Sequence, residues 1–467
     1  MKTERLQKIA IIIFPIVLSF YFFGVFISNI VSLSPALNTF FTAGFSKFAW
    51  RAAVALIYGA YIIFVVVIFK IKLNKELLLI SGLVLSTALI SPFFNLKPLN
   101  TQYIDQWFRL VQVQIKIGFL EILSYYSELF FGFLFLFSLF FVLPTLFRKT
   151  KLPFIVFYVL VFIMIIACIF SYVTEFSKYL HPVASAYNDN ISSFFTSKNS
   201  FGIFLYQAVL ISVYMIFVGG INFQNKFKGK ARILWISGWS FAAFLFFITL
   251  IFTLNKNSIA TTLIFLILLP LFLLYKRSMP KKQKIFLFGS YAGVLILSMI
   301  LVLAVPRINS MALNLFDSST GRNELVRIFF RNLNGAQIFV GYGHSFRFHL
   351  YVWSSNFGTY IIFDNVHNAF FSILGEKGIL YLLFYIGLFI YNFYFLFKNQ
   401  KNDVVIKIAI AILISFIFGS FFESTQLYIS GSSGSVLVSI LIAAIPLSFV
   451  NDSKGGKNEI ALSEVKV

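Results

Sequence analysis

In a chain that is otherwise mostly apolar, residues 363–378, FDNVHNAFFSILGEKG, gather an Asp, two Asn, a His, a Glu and a Lys. A neutral imidazole can take a proton at neutral pH, so His367 is a candidate general base, and Asp364 and Asn368 flank it closely enough to fix its tautomer. The stretch closes a long polar interval and runs into an apolar span. That places His367 and Asn368 at a membrane–water boundary, where a lipid-borne substrate would present its head. Glu376, between Gly375 and Gly378, would be costly inside lipid unless it paired with Lys377 or faced a cavity, and reads as structural.

Proton transfer alone does not break a bond to a phosphate, so the cations come next. In DSSTGRNELVRIFFRN, residues 317–332, Ser318, Ser319 and Thr320 are N-cap candidates for a helix beginning about Arg322. An anion bound there would meet free backbone N–H groups as well as the Arg322 guanidinium. Arg327 and Arg331 are four apart on one helical face, able to assist Arg322 or to meet lipid headgroups. Lys256, in FTLNKNSIATTL, falls in a very tight turn between two spans, where it either binds substrate phosphate or snorkels to a lipid headgroup. Lys198 and Asn199, in TSKNSFG, open the sixth candidate span in the same manner. The glycines of FVGYGHSF, residues 339–346, suggest a plain tight turn and no nucleotide fingerprint, since no strand precedes a helix here.

Metal chemistry is not expected. The four histidines show no HExxH or paired spacing, and no DxD pair stands ready to hold Mg²⁺. A lone cysteine, Cys168, excludes an intramolecular disulfide.

The elements that must position these residues are membrane helices. With 59% hydrophobic and 12% charged residues and a mean hydropathy of +0.89, the chain has too little polar surface for a soluble globule. Apolar runs of spanning length predict an all-α polytopic membrane protein of about twelve transmembrane helices, near 9–28, 50–69, 77–94, 125–147, 152–172, 201–221, 233–254, 259–275, 285–305, 377–397, 405–422 and 434–450. Seven basic clusters, at both termini and in alternate connections, hold 24 of the 38 Lys and Arg, which places both termini in the cytoplasm and residues 306–366 outside. The net charge of +22 is then that of a basic face beside anionic lipid, and no nucleic-acid partner is expected. Residues 1–467 read as a single integral domain, with 306–366 a large, partly helical external loop. Residues 95–124 are apolar enough to lie in the interface, although VQVQIKI alternates like a strand.

Taken in order, TSKNSFG, TLNKNS, SSTGRNELVR, GYGHSF, VHNAFFSILGEKG and FFES resemble the O-antigen polymerase and O-antigen ligase family of bacterial envelope glycosyltransferases over about residues 194–424. The resemblance implies a GT-C-like, metal- and cofactor-independent enzyme of the bacterial cytoplasmic membrane. It would take a glycan from an undecaprenyl diphosphate carrier and join it to an acceptor hydroxyl. Carried over by motif, Arg322 matches the arginine that neutralises the diphosphate and His367 the histidine that assists the acceptor. Lys256 stands where the family has arginine, and an ammonium supplies charge without the bidentate fork. Lys198, Asn199, Arg327, Arg331, Asn368 and Asp364 would contact substrate. The implied partners are the lipid-linked oligosaccharide, the bilayer, and a flippase and chain-length regulator of the same pathway. A polymerase of repeat units is the leading expectation and a ligase in the same fold the second. A flippase comes third, because a transporter should carry ionisable residues near its midplane, whereas these spans are almost uncharged.

Overall fold

The computed structural model describes residues 4–14, 16–17, 44–71, 75–94, 99–104, 110–115, 118–143, 146, 152–180, 191–195, 198–222, 229–274, 285, 289, 293, 322–333, 335–343, 346, 351–354, 359–362, 366–399 and 404–422. Helices dominate, as they must where a chain in lipid has to satisfy its backbone internally. They are α1 (residues 4–14), α2 (Gly44–Ile68), α3 (Lys75–Phe94), α4 (Phe119–Phe141), α5 (Leu152–Thr174), α6 (Phe176–Leu180), α7 (Lys198–Asn222), α8 (Lys230–Thr253), α9 (Lys256–Leu274), α10 (Arg322–Asn332), α11 (Gln337–Val340), α12 (Ala369–Asn399) and α13 (Val404–Ser420). Among the described residues four stretches are long and apolar enough to cross a membrane: Phe157–Thr174, Lys198–Phe217, Lys230–Thr253 and Ala369–Tyr394. Shorter apolar stretches occupy α2, α3, α4, α9 and α13. The expected spans at 285–305 and 434–450 lie outside the regions described as continuous structure.

The centre of the bundle is α7, in which every residue from Phe201 to Ser212 is buried. It packs against α5, α8, α9 and α13, while α12 packs against α13 and α3, and α2 against α4. The outward faces remain apolar: Leu56, Leu79, Val173 and Leu234 are each more than 70% exposed. Such side chains suit a lipid solvent and would be out of place on a water-facing surface.

Two differences from the sequence expectations bear on the site. Helices α7, α9 and α12 begin earlier than their apolar runs, at Lys198, Lys256 and Ala369, because polar side chains cap or extend them at the boundary. The fold is also not purely helical. The alternating VQVQIKI stretch supplies β2 (Leu110–Ile115), antiparallel to β1 (Leu99–Ile104) with Leu99 opposite Ile115. A second hairpin pairs β3 (Tyr351–Ser354) with β4 (Thr359–Ile362) inside the long external interval.

Candidate active site

The turn between α8 and α9 is as short as the sequence suggests, two residues long, and Leu254 closes α8 in the left-handed region at φ 56°. Asn255 then performs two tasks. Its Oδ1 accepts the Ser258 N–H at 3.1 Å, capping α9, and its Nδ2 donates to the Asn199 carbonyl at 3.1 Å, joining that cap to the first turn of α7. Gly202 makes the close approach possible, since a Cβ there would sit 2.6 Å from the Asn255 amide nitrogen. The result sets two helix N-termini side by side, one opening with Lys198 and the other with an exposed Lys256. Both ends carry the positive pole of a helix dipole, and both add an ammonium, electrostatics that suit an anion. Asn199, which read as a substrate contact, contributes its backbone carbonyl to the tie, and its side chain is exposed.

His367 precedes α12 with φ 52°, a left-handed conformation rare outside glycine and costing on the order of 1 kcal/mol. Strain of that kind persists only where neighbours fix it. Asn368 does so from the next position. Its Oδ1 accepts the Phe371 N–H at 3.0 Å, the N-cap of α12, and its Nδ2 donates to the Phe421 carbonyl at 3.1 Å, just past the end of α13. The carboxamide expected to orient His367 or touch substrate is thus engaged in holding two helix ends together. Asp364 lies outside the described residues.

Helix α13 connects these two regions. The rings of Tyr206 and Phe416 meet at 5.7 Å. With a rise of 1.5 Å per residue, Tyr206 is about 12 Å from the start of α7 and Phe416 about 6 Å from the end of α13. Helix α13 therefore packs on the N-terminal half of α7, and Asn368 joins the start of α12 to the end of α13. Lys198 and Lys256 are thus set side by side by the Asn255 tie, and the residue after His367 is tied to α13, the helix that packs on α7.

Helix α10 docks beside His367. Phe329 stacks on Phe371 at 5.5 Å and meets Phe346 at 6.0 Å, and with Tyr342 and Val366 these residues form a small core separate from the main one. Arg322 opens α10, where the sequence places the helix start. Its position shares the register of the buried Leu325 and Phe329. Arg327 and Arg331 occupy the opposite register, and Arg327 is exposed. They are therefore remote from the packed face, which favours the headgroup reading for that pair.

The GYG stretch does more than turn. Helix α12 is broken at Gly378, φ 81°, and α11 with its following loop inserts into the break. The Tyr342 N–H donates to the Gly375 carbonyl at 2.6 Å, and Ser91 Oγ donates to the Gly341 carbonyl at 3.0 Å. A Cβ on Gly341 would collide with the Glu376 carbonyl, and one on Gly378 with the Phe339 carbonyl. Glu376 pairs with Lys377 at 3.2 Å, with the ammonium 5.5 Å from the Tyr381 ring centre. Pairing is what makes that carboxylate tolerable in a span. Burial raises the Tyr342 phenol above its ordinary pKa, so the residue stays a neutral donor. His344 lies outside the described residues.

Sequence reasoning missed Asn255, the cap and cross-tie, and Gly341 with Gly378, the latch. An asparagine immediately before a helix-opening lysine was the available signal for the first, and no local signal in the sequence marks the second. Among the described residues no group of three or more His, Cys, Asp or Glu side chains comes together as a metal site. No family model matches the chain, and a search of curated proteins returns no relative.

Proposed function

We propose that this chain is a polymerase of lipid-linked oligosaccharide repeat units, transferring glycan from undecaprenyl diphosphate to an acceptor sugar hydroxyl on the outer face of the bacterial cytoplasmic membrane. The observation that carries the reading is the pairing of two lysine-opened helix N-termini through Asn255, in an apolar bundle that also holds a strained histidine before a capped helix start. The twelve-span GT-C-like topology, both termini cytoplasmic, and the 306–366 interval as an external loop belong to the same proposal.

The chemistry follows from charge. As the acceptor oxygen bonds to the anomeric carbon, the bond from that carbon to the diphosphate oxygen breaks and its electron pair stays on the leaving group. Lys256, Lys198 and Arg322 stabilise that growing negative charge more than they stabilise the ground state. His367 takes the acceptor proton. The carrier's polyprenyl tail remains in the bilayer throughout, which is why an enzyme for this reaction needs spans.

The test is reconstitution. Purified protein given only undecaprenyl-diphosphate-linked repeat units makes a ladder of longer glycans, because one substrate serves as donor and acceptor. The ladder survives EDTA and is lost in His367→Ala; Lys256→Ala slows it by about ten- to a hundredfold. Folded protein that stays silent until a lipid, protein or cell-wall acceptor is added is a ligase. Protein silent with every acceptor, yet moving the intact lipid-linked glycan across a bilayer, is a flippase.

A further inference from the structure

Glu175 is a buried carboxylate, 7% exposed, between α5 and α6. Lys198 opens the next long helix after it, α7, and Lys256 follows after α7 and α8. A carboxylate is a costly way to join apolar helices, since a neutral side chain could pack there without the desolvation penalty. Its partners explain its presence. The N–H groups of Ser192 and Ser193 donate to it at 3.2 Å and 2.8 Å, Ser171 Oγ at 3.0 Å and Lys178 Nζ at 2.9 Å. Ser193 is left-handed, φ 55°, and its hydroxyl donates to the Ala167 carbonyl at 2.8 Å. Successive backbone N–H groups aimed at one anion make a nest of the kind that elsewhere holds phosphate. Here the protein's own carboxylate fills it.

What the filled nest holds is the approach to Lys198. Phe195, three residues before it, stacks on Phe201 at 5.4 Å and packs on Phe204 at 5.1 Å, in the first two turns of α7. On the other side, Ser171 Oγ also bonds Tyr179 Oη at 2.7 Å, and the Tyr179 ring lies 5.2 Å from Phe252. Tyr172 Oη bonds Thr249 Oγ1 at 2.8 Å. Both contacts fall on the last turns of α8, which lead into Asn255 and Lys256. The same carboxylate thus lies beneath both elements that deliver the cations.

We propose that Glu175 is a positioning residue for the cationic end, an internal anion that sets the start of α7 and the α8–α9 turn so that Lys198 and Lys256 share one diphosphate. The inference rests on the polymerase reading for its ligand and stands apart from it for its geometry, so the experiment has two arms. In the first, the full chain in lipid nanodiscs is titrated with undecaprenyl diphosphate, with undecaprenol as the carrier lacking phosphate. Glu175→Gln weakens undecaprenyl diphosphate binding by about tenfold, the scale of one lost charge-assisted hydrogen bond. In a chain already carrying Lys198→Ala and Lys256→Ala, the same change adds less than about twofold, because residues acting as a unit are not additive.

In the second arm, Asn199→Cys is labelled with a water-soluble maleimide in a Cys168→Ala background, and Glu175→Gln raises the labelling rate several-fold, on the order expected for a locally loosened helix start. An equal loss of binding in both backgrounds, or an unchanged labelling rate, overturns the positioning role. Faster labelling in Glu175→Gln, with wild-type protein binding undecaprenol as well as undecaprenyl diphosphate, keeps the positioning role and overturns the diphosphate reading. If Glu175→Gln does not accumulate, Ser171→Ala removes one donor and keeps the charge. It shifts both readouts in the same direction by about twofold to threefold, and unchanged readouts there count against the proposal.

Discussion

The lysine-bearing helix starts and the histidine-bearing helix start are held in place by different physical means. Lys198 and Lys256 are placed by polar side chains: Asn255 spans two helix starts, and Glu175 lies beneath both. His367 is placed chiefly by backbone: α12 is held where the main chain around Gly341 lies against the main chain around Gly378, with the Asn368 cap, the Ser91 hydrogen bond and the Phe329–Phe371 stack beside it. Side-chain ties fail by degrees, since a lost hydrogen bond is partly replaced by relaxation. Backbone contacts fail at once, because a carbonyl in a packed helix has nowhere to move.

That contrast orders the expected effects of substitution. Gly378→Ala and Gly341→Ala should be the most damaging, each adding a Cβ into a backbone carbonyl at positive φ, and costing more than about 3 kcal/mol. The measure is the amount of monodisperse protein recovered in detergent. Wild-type yield from either variant would erase the distinction between the two ends. Asn255→Ala comes next, at about 2 kcal/mol for a lost cap and cross-tie together, read as a lowered midpoint of thermal unfolding. Asn255→Asp sharpens the point, because it keeps the cap acceptor and loses the donor to Asn199, and should recover about half of that stability.

Gly202→Ala should rank with Asn255→Ala at about 2 kcal/mol, because the new Cβ would sit 2.7 Å from the Asn255 Cβ, and relieving the clash gives up the hydrogen bonds of that side chain. Asn368→Ala should cost about 1–2 kcal/mol by the same logic. At the bottom is Gly238→Ala in α8, where nothing lies within 4 Å; it should be neutral or stabilising by up to about 1 kcal/mol. A loss there as large as at Gly378 would show that helix glycines matter for a reason other than close approach.

Much of this was legible in the residues and some was not. Helix positions followed from apolar run length, because lipid imposes that length directly. The tight turn at Asn255–Lys256, the helix start at Arg322 and the pairing of Glu376 with Lys377 were readable for the same local reason. The hairpin of residues 99–115 was only half legible, since alternation marked β2 and gave no hint of its partner. The latch was not legible, because GYGHSF meets its helix only after the chain has folded across more than thirty residues. Glu175 was invisible for a related reason: in sequence it is one acid after an apolar run, and its four donors come from three separate segments. Asn368 shows the remaining difficulty, as a residue type suited to substrate contact turns out to be a cap.

The central claim is that Lys198, Lys256 and His367 serve one diphosphate-linked glycan at one end of the bundle. Photo-crosslinking tests it most directly, with an undecaprenyl diphosphate glycan bearing a diazirine on its first sugar, competed by unlabelled carrier, and the modified peptides mapped by mass spectrometry. The account predicts competed labelling on peptides holding residues 198–202, 255–258 and 366–371. Labelling concentrated instead at the opposite ends of the same helices, around 217–222 and 268–274, would contradict it.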